Sequence, residues 1–331
     1  MAADVPHPAF EGYATETIPQ ASVGAPGKDG QLELAFATDE AGRTQLARDF
    51  ARAPFHVGRT LDHDPHPDAA TVYIQSPTGG VAQGDRRSVE VSAGEGAIAH
   101  VSTASRTKVL SMERNYAAAA VSLDVAAGGY LEYLPEPTIL NADARYQQDV
   151  TLRVPSGATA ILGDVVVPGR LAREERFEFE RYVSRLRVRD GDGLLVADTT
   201  DFHPTADDRD APGVLNEFAV YGSLYVLTPS METDRARESG ADHGCVADAE
   251  ATTTATSADE QPSSATLSDA LHECVTGSDV RAGATTLPND AGVLVRALGH
   301  RADSVTDALD AAWDRARTDL LGAPAPDRRK Y

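Results

Sequence analysis

Apolar and polar residues alternate in short runs along the first two thirds of the chain. Leu32, Leu34 and Phe36 form the first run, and Val89 and Val91 belong to a later one. A period of two predicts strands that are half-buried in a sheet. Further short runs occur at 72–75, 98–101, 103–110, 121–125, 150–154, 158–162, 165–167 and 177–179. The pattern predicts a mainly β fold built from many short strands.

Some segments depart from simple alternation. Thr44–Phe50 and Pro54–Leu61 fit either a helix or a strand by pattern alone. The segment Leu186–Val196 alternates on both sides of an Asp-Gly pair, which is typical of a hairpin turn. The segment Glu217–Leu227 is strongly apolar. We therefore expect a hairpin over Leu186–Val196 and a core element over Glu217–Leu227.

A helical period is clear only near the C-terminus. Val305, Leu309, Trp313, Ala316 and Leu320 recur every three or four residues and define one apolar face. This spacing predicts a helix over about 303–321, with Asp303 or Ser304 as N-cap and Gly322 beyond its end. Residues 267–274 predict a shorter helix.

Changes in composition divide the chain. Residues 1–30 contain prolines and no sustained apolar period, which predicts a disordered acidic tail. Residues 31–322 are expected to form a single β domain. Residues 232–288 are rich in Asp, Glu, Ser, Thr and Ala and predict a flexible insertion in that domain. Residues 323–331 predict a C-terminal tail.

The chain is strongly acidic. Its 331 residues carry a formal charge of -21, with a pI near 4.7, and Lys28, Lys108 and Lys330 are its only lysines. At molar salt the Debye length is about 3 Å, so the mutual repulsion of surface carboxylates is screened. The composition therefore predicts a salt-adapted protein whose 41% hydrophobic residues can fill a substantial core.

The same charge excludes several classes of partner. Nucleic acids and anionic membranes require clustered Lys and Arg, and a net charge of -21 argues against binding to either. We find neither an apolar run long enough to span a bilayer nor a secretory leader. Cys245 and Cys274 are too few for a disulfide framework. These features predict a cytoplasmic protein without membrane or nucleic-acid partners.

A glycine-rich stretch, Thr78–Asp85, invites comparison with a phosphate-binding loop. Such a loop needs Lys followed by Ser or Thr after its last glycine, whereas Asp85 and Arg86 follow Gly84 here. An acid at this place would repel phosphate. We interpret Gly79, Gly80, Gly84 and Asp85 as a structural turn in which Asp85 bonds to turn amides.

Seven blocks in a fixed order resemble the urease accessory protein family UreD, also called UreH. The blocks in this sequence are Thr78-Gly79-Gly80-Val81 with Gly84-Asp85, then 103–109, 131–137 with Pro135 and Pro137, 164–170, 175–179, 221–226 and 293–299. They extend over roughly 31–322 and leave out the N-terminal tail and residues 232–288. With the acidic composition, they indicate a haloarchaeal-like member.

The resemblance implies a fold and a function. The expected fold is mainly β: an elongated, solenoid-like, two-layer helical-β body with a few helices. The expected function is urease maturation, in which the chain is a non-catalytic scaffold for urease apoprotein. It would work with UreF and the GTPase UreG, and indirectly with the nickel carrier UreE. Nickel would be a transiting ion, and no cofactor would be bound tightly.

The resemblance also suggests residues. Asp85, Glu132, Glu136 and Asp164 are acids in family-like blocks and are candidates for a nickel path, which would protect the ion from stray ligands. Arg106, Lys108 and Arg170 are candidate partner contacts. A turn bond or a solvated sheet face is the alternative role for each residue. His243, Cys245, His272 and Cys274 form two His-x-Cys pairs that offer four soft ligands, although their spacing matches no familiar zinc site.

A second class of function stays open at this point. The residues show no nucleophile with its base and no open metal site, so we expect no catalysis. The alternative is a β-solenoid carbohydrate-active or carbohydrate-binding protein. Such a protein would need a ladder of aromatic side chains to bind sugars, and aromatic residues make up only 6% of this chain.

Overall fold

Strands dominate the computed structural model, which describes residues 6–18, 27–191, 193–205, 215, 217–229, 261–276 and 279–327. Strands account for 46% and helices for 17%, so the predicted mainly β class is confirmed. Among the described residues the strands are β1 (Asp29–Thr38), β2 (Thr44–Arg52), β3 (His56–Val57), β4 (Ala69–Gln75), β5 (Arg86–Ala93), β6 (Ile98–Thr103), β7 (Thr107–Val109), β8 (Ala117–Val125), β9 (Tyr130–Leu134), β10 (Thr138–Leu140), β11 (Arg145–Arg153), β12 (Thr159–Val167), β13 (Arg181–Asp190), β14 (Gly193–Phe202), β15 (Val220–Leu227), β16 (Arg281–Thr286) and β17 (Gly292–Gly299).

The strands form two sheets. Sheet A has the order β14-β13-β11-β8-β5-β1-β2, and sheet B has the order β16-β17-β15-β12-β9-β6-β4-β3, with β10 and β7 attached beside β12. From β4 to β13 the chain passes repeatedly between the sheets, and equivalent strands of successive passes pair in parallel. Each pass is therefore one coil of a solenoid, which confirms the predicted solenoid-like, two-layer body.

The coils share a corner. The turns 94–97, 126–129 and 154–158 each lead from a strand of sheet A to the next strand of sheet B. Stacked corners bond to one another, as Gly128 N does to Gly157 O at 3.0 Å and Tyr130 N does to Ala97 O at 2.8 Å. These bonds keep the coils in register, so the inward side chains of neighbouring coils lie in rows.

Apolar side chains fill two layers. The larger cluster lies between the sheets and includes Leu34, Val91 and Leu131. The second covers the other face of sheet B and packs it against helices α2 (Ser264–Val275) and α3 (Ala302–Leu321). Because sheet B is covered on both faces, β15 is apolar at nearly every position, which explains the apolar block at 217–227.

The C-terminal helix matches its prediction closely. Helix α3 begins one residue earlier than expected and ends where predicted, with Gly322 in a left-handed conformation at φ 72°. Its N-cap is Arg301, not Asp303 or Ser304; Asp303 lies in the first turn, where its Oδ1 accepts from Ser304 N at 3.0 Å. No helix in the described part of the chain is long and apolar enough to cross a bilayer.

The prediction of a disordered tail over 1–30 is wrong for residues 6–18. A 3-10 turn, Pro8–Phe10, and helix α1, Glu11–Ala14, pack on the outer face of sheet A. Phe10 is fully buried, with its ring centroid 4.9 Å from that of Tyr116. Polar contacts, such as the bond from His7 N to Gln147 Oε1 at 2.9 Å, add to this apolar anchor, and a window too short to show a period cannot reveal either. At the other end, Ala325 N bonds to Asp314 Oδ1 at 2.7 Å, so part of the tail predicted over 323–331 also packs.

The predicted insertion over 232–288 needs a similar correction. Its last part contains α2 and β16, and Leu267, Leu271 and Val275 of α2 are buried in the layer beneath the helices. This part therefore belongs to the core. The prediction missed it because the apolar residues of α2 recur at helical spacing within an otherwise polar sequence. Residues 230–260 lie outside the described residues, so the prediction for them stays a prediction.

Candidate functional site

A cleft of about 450 Å³ lies between the two sheets near the glycine turn; we call it the interior cleft. Sheet A contributes Arg87 and Gln148 to its lining, and sheet B contributes Tyr133 and Asp164. These polar side chains occupy inward positions that elsewhere in the body hold aliphatic residues. The interior cleft is thus a polar opening in an otherwise apolar layer.

Asp164 is the single acid in the lining of the interior cleft. It lies on β12, is partly buried, and accepts a hydrogen bond from Tyr182 Oη at 3.2 Å. Burial raises the pKa of Asp164 to about 6, although hydrogen bonds from Tyr182 and Ser184 oppose the rise. With a pKa about 6 this carboxyl is mostly ionised near pH 7, so the cleft holds one weakly solvated negative charge.

A smaller cavity of about 40 Å³ adjoins the interior cleft and shares Gln148 and Asp164 with it. Asp198 lies on its far side, where its Oδ2 accepts from Tyr225 Oη at 2.6 Å and pairs with Arg296. Burial raises the pKa of Asp198, but the bonds from Tyr225 and Arg296 outweigh burial and hold the pKa below its usual value. The polar interior therefore continues from Arg87 past Asp164 to Asp198.

The glycine turn closes one side of the interior cleft. Gly80 has φ +153°, and a Cβ there would lie 2.6 Å from the carbonyl oxygen of Lys108, so only glycine fits. Asp85 is buried and caps the turn: Oδ1 accepts from the backbone N–H groups of Gly27 and Lys28, and Oδ2 accepts from that of Ala82. These three backbone hydrogen bonds account for the buried carboxylate, and Asp85 does not line the interior cleft; its place in a nickel path stays a prediction. Its predicted role in the turn is the one observed.

Glu132 does not line the interior cleft; it lies in a buried ion cluster formed with Asp64, His100 and Arg317. Its Oε2 is 2.8 Å from His100 Nδ1 and 2.6 Å from Arg317 Nη1, and its Oε1 accepts from Trp313 Nε1 at 2.9 Å. Arg317 Nη2 reaches Asp64 Oδ1 at 2.5 Å. The cluster lies beneath α3 and ties that helix to sheet B.

Glu136 and the two prolines lie beside the interior cleft. Glu136 does not line it; its backbone N–H donates to Thr103 Oγ1 at 2.9 Å. Pro135 lines both cavities, and the carbonyl oxygen of Pro137 accepts from Thr107 N at 3.1 Å. The Pro135–Pro137 stretch therefore shapes the wall between β9 and β10. Of the four acids predicted for a nickel path, Asp164 alone lines the interior cleft.

The structure describes only two of the four residues in the predicted His-x-Cys pairs. His243 and Cys245 lie outside the described residues. His272 and Cys274 are exposed on α2, and His272 Nδ1 accepts from Ala284 N at 3.4 Å. In the described ranges, no group of three or more His, Cys, Asp or Glu side chains is placed to hold a metal ion.

The three predicted partner contacts do come together. Arg106, Lys108 and Arg170 line one open groove of about 790 Å³, which lies over β7 and β10 and beside the start of α3. Arg106 and Lys108 are exposed and also line the interior cleft, so they stand at its solvent side. Arg170 pairs with Glu175, whose side chain is 8% exposed.

Several site residues have no signal in the sequence. Arg317 and Asp198 look like ordinary surface charges, and Gln148 lies just before the strand predicted at 150–154. The one available clue for Arg317 is its helical position one residue after Ala316 on the apolar face. A charge next to that face predicts either an edge position or a buried partner, and the structure shows the second.

Comparison with known proteins identifies the family of the chain. The profile of the family described as the UreD urease accessory protein matches residues 28–331. A urease accessory protein UreD of Haloarcula marismortui is 57% identical over 331 residues, which is 100% of both chains. One from Natronomonas pharaonis is 40% identical, covering 98% of both chains, and a Streptomyces griseus UreD 2 is 35% identical, covering 93% of this chain and 95% of its own.

By class, then, this two-layer β-solenoid with its helical cover is a urease accessory protein. The chain belongs to the UreD family, and the match to the haloarchaeal relative also spans the tail and residues 232–288, which the seven blocks left out. The resemblance drawn from those blocks is confirmed, including its haloarchaeal character. Membership replaces the alternative of a carbohydrate-active or carbohydrate-binding solenoid.

Proposed function

We propose that this chain is a non-catalytic scaffold of urease maturation that binds urease apoprotein and assists nickel insertion. Its membership of the UreD family is the observation that carries the proposal, because the family's members are named urease accessory proteins. In this proposal UreF binds the scaffold and UreG hydrolyses GTP, while UreE supplies nickel indirectly. The predicted cytoplasmic location and the absence of a tightly bound cofactor stay predictions.

Within that function, Asp164 is the group that we assign to the nickel ion. Its carboxylate is mostly ionised near neutral pH, the hydroxyl groups of Tyr182 and Ser184 bond to it, and Gln148 lines the same cavity. One carboxylate with neutral oxygens suits brief contact with a hydrated divalent cation better than storage, since firm Ni²⁺ sites use several nitrogen or sulfur ligands. The interior cleft therefore offers a stepping place for the ion.

Co-purification tests the scaffold proposal. We expect an affinity-tagged chain, co-expressed in molar KCl with urease subunits, UreF and UreG, to retain urease apoprotein through purification. The Asp164→Asn variant is the matched control and should retain it equally, because Asp164 lies in the cleft and not on the outer surface. Absence of urease subunits from the wild-type eluate would contradict the proposal.

A further inference from the structure

The groove that holds Arg106, Lys108 and Arg170 concentrates positive charge on an acidic protein; we call it the basic groove. Its lining contains one acid, Asp303, and five cationic side chains: Arg106, Lys108, Arg170, Arg173 and Arg301. The whole chain has 51 Asp and Glu against 30 Lys and Arg, so the local charge is opposite in sign to the surroundings. Lys108, one of only three lysines in the chain, lies here.

The charges of the basic groove are only partly neutralised. Arg170 pairs with Glu175, and Arg301 pairs with Asp303. Arg106, Lys108 and Arg173 are exposed, and none of them forms an ion pair with a carboxylate in the described part of the chain. Three cations are therefore available to groups from outside.

The floor of the basic groove is apolar. Lys108, Ile139 and Val167 are neighbours in register across the parallel strands β7, β10 and β12, so their side chains point to the same face. Leu171 and Ala302 add to that floor. The groove thus joins apolar surface to a cationic rim.

The start of α3 adds to the positive character. Ala302 and Asp303 line the groove at the N-terminus of this 20-residue helix, which has no side-chain cap at its N-cap residue. Unpaired N–H groups and the helix dipole favour a negative group nearby. Arginine and lysine bind carboxylates through short, charge-assisted hydrogen bonds, which survive molar salt better than distant attraction does.

We propose that the basic groove docks an acidic peptide segment of a partner protein, in which apolar residues are interspersed among Asp and Glu. The carboxylates pair with Arg106, Lys108 and Arg173, and the apolar side chains cover Ile139 and Leu171. A polynucleotide fits less well, because the acidic surface around the groove repels an extended polyanion and its binding weakens steeply with salt. The charge pattern and the apolar floor together select a peptide.

This docking has a consequence that rests on the proposed function. Arg106 and Lys108 line both the basic groove and the interior cleft, where they repel a divalent cation approaching Asp164. An acidic segment paired with them removes that repulsion. The partner would thus admit nickel to the cleft as it docks.

The test uses the purified full-length chain and a fluorescein-labelled peptide made of Asp-Leu-Glu repeats, with fluorescence anisotropy in molar KCl. The groove variant is Lys108→Glu with Arg173→Glu. The matched control is Arg59→Glu with Arg114→Glu, which changes the net charge equally at two exposed arginines that form no ion pair in the described ranges. Thermal unfolding checks that both variants fold. The variant Lys108→Gln with Arg173→Gln removes the same two positive charges without adding negative ones.

We expect the groove variant to raise the Kd by roughly ten-fold or more and the control by less than about two-fold. A peptide with Ser in place of Leu should bind more weakly than the Asp-Leu-Glu peptide. Equal weakening in both variants, no binding by the wild type, or tighter binding of a single-stranded oligonucleotide of equal charge would overturn the proposal. Because no nickel or urease enters the assay, its failure is distinct from failure of the scaffold function.

Discussion

Replacing Arg317 by methionine is expected to lower the free energy of unfolding by roughly 3–5 kcal/mol, because it leaves buried charge without a partner. The Arg317 side chain is 1% exposed and bridges the carboxylates of Glu132 and Asp64, which are 0% and 2% exposed. Methionine fills a similar volume but gives neither carboxylate a positively charged partner. The change should be measured by urea-induced unfolding at constant molar KCl.

The matched control lies two residues away on the same helix. Arg315 pairs with Asp319 at the surface of α3, and Arg315→Met should cost no more than about 0.5 kcal/mol. A loss below roughly 1 kcal/mol for Arg317→Met would show that the buried ion cluster does not hold α3. The double variant Glu132→Gln with Arg317→Met should recover part of the loss, since it removes the uncompensated carboxylate.

The pH dependence gives the same cluster a second signature. Burial raises the pKa of Glu132, but His100, Arg317 and Trp313 outweigh burial, so the pKa is lowered overall. A carboxyl whose pKa is lowered in the folded chain stabilises the fold at pH values above its ordinary pKa. This stability is lost as the pH falls through the pKa of the folded state. Without Arg317 the Glu132 pKa should rise, so the deficit of Arg317→Met should shrink in acid.

Replacing Asp164 by asparagine should have opposite effects on stability and on urease activation. The pKa of Asp164 is about 6 in the folded chain against an ordinary value of 3.8. The folded chain therefore binds this proton more tightly between about pH 4 and 6, and the free energy of unfolding falls as pH rises through that window. Asparagine cannot ionise, so the variant should be more stable near pH 7, on the order of 3 kcal/mol.

Activation should fall in the same variant. Asp164 is the single acid in the lining of the interior cleft, and asparagine removes the charge assigned to nickel while keeping the size of the side chain. Urease matured with the variant should carry clearly less nickel at limiting nickel supply. Asp124→Asn, at an exposed pair with Arg153, is the matched control and should change neither property. A stabilised variant that activates urease fully would separate Asp164 from the nickel path.

Local pattern was enough for much of this fold. Alternation at Leu32, Leu34 and Phe36 marked the first strand correctly, because each inward residue meets the layer between the sheets. The hairpin at 186–196 and the helix near 303–321 were also predictable, since a turn and an apolar face are encoded within a few residues. The corners at 94–97, 126–129 and 154–158 did not enter the prediction as a repeat; the solenoid-like body was expected from the family resemblance instead.

Long-range contacts set the limit of prediction for the site. Glu132 and Arg317 are 185 positions apart, and neither neighbourhood shows that they pair. Asp85 and Asp164 were both candidates for the nickel path, yet Asp85 accepts three backbone hydrogen bonds in a turn and Asp164 lines the cleft. Which carboxylate faces a cavity depends on how two sheets meet. Phe10 was missed because a single anchor has no period.

The nickel content of urease from cells that lack this chain is the most direct measure of the account. We expect those cells to make urease protein in normal amounts but with little bound nickel and little activity at low nickel supply. Restoring the wild-type chain should restore both, as measured by metal analysis and urea hydrolysis on the same purified enzyme. Fully nickel-loaded, active urease from cells without the chain would contradict the central claim.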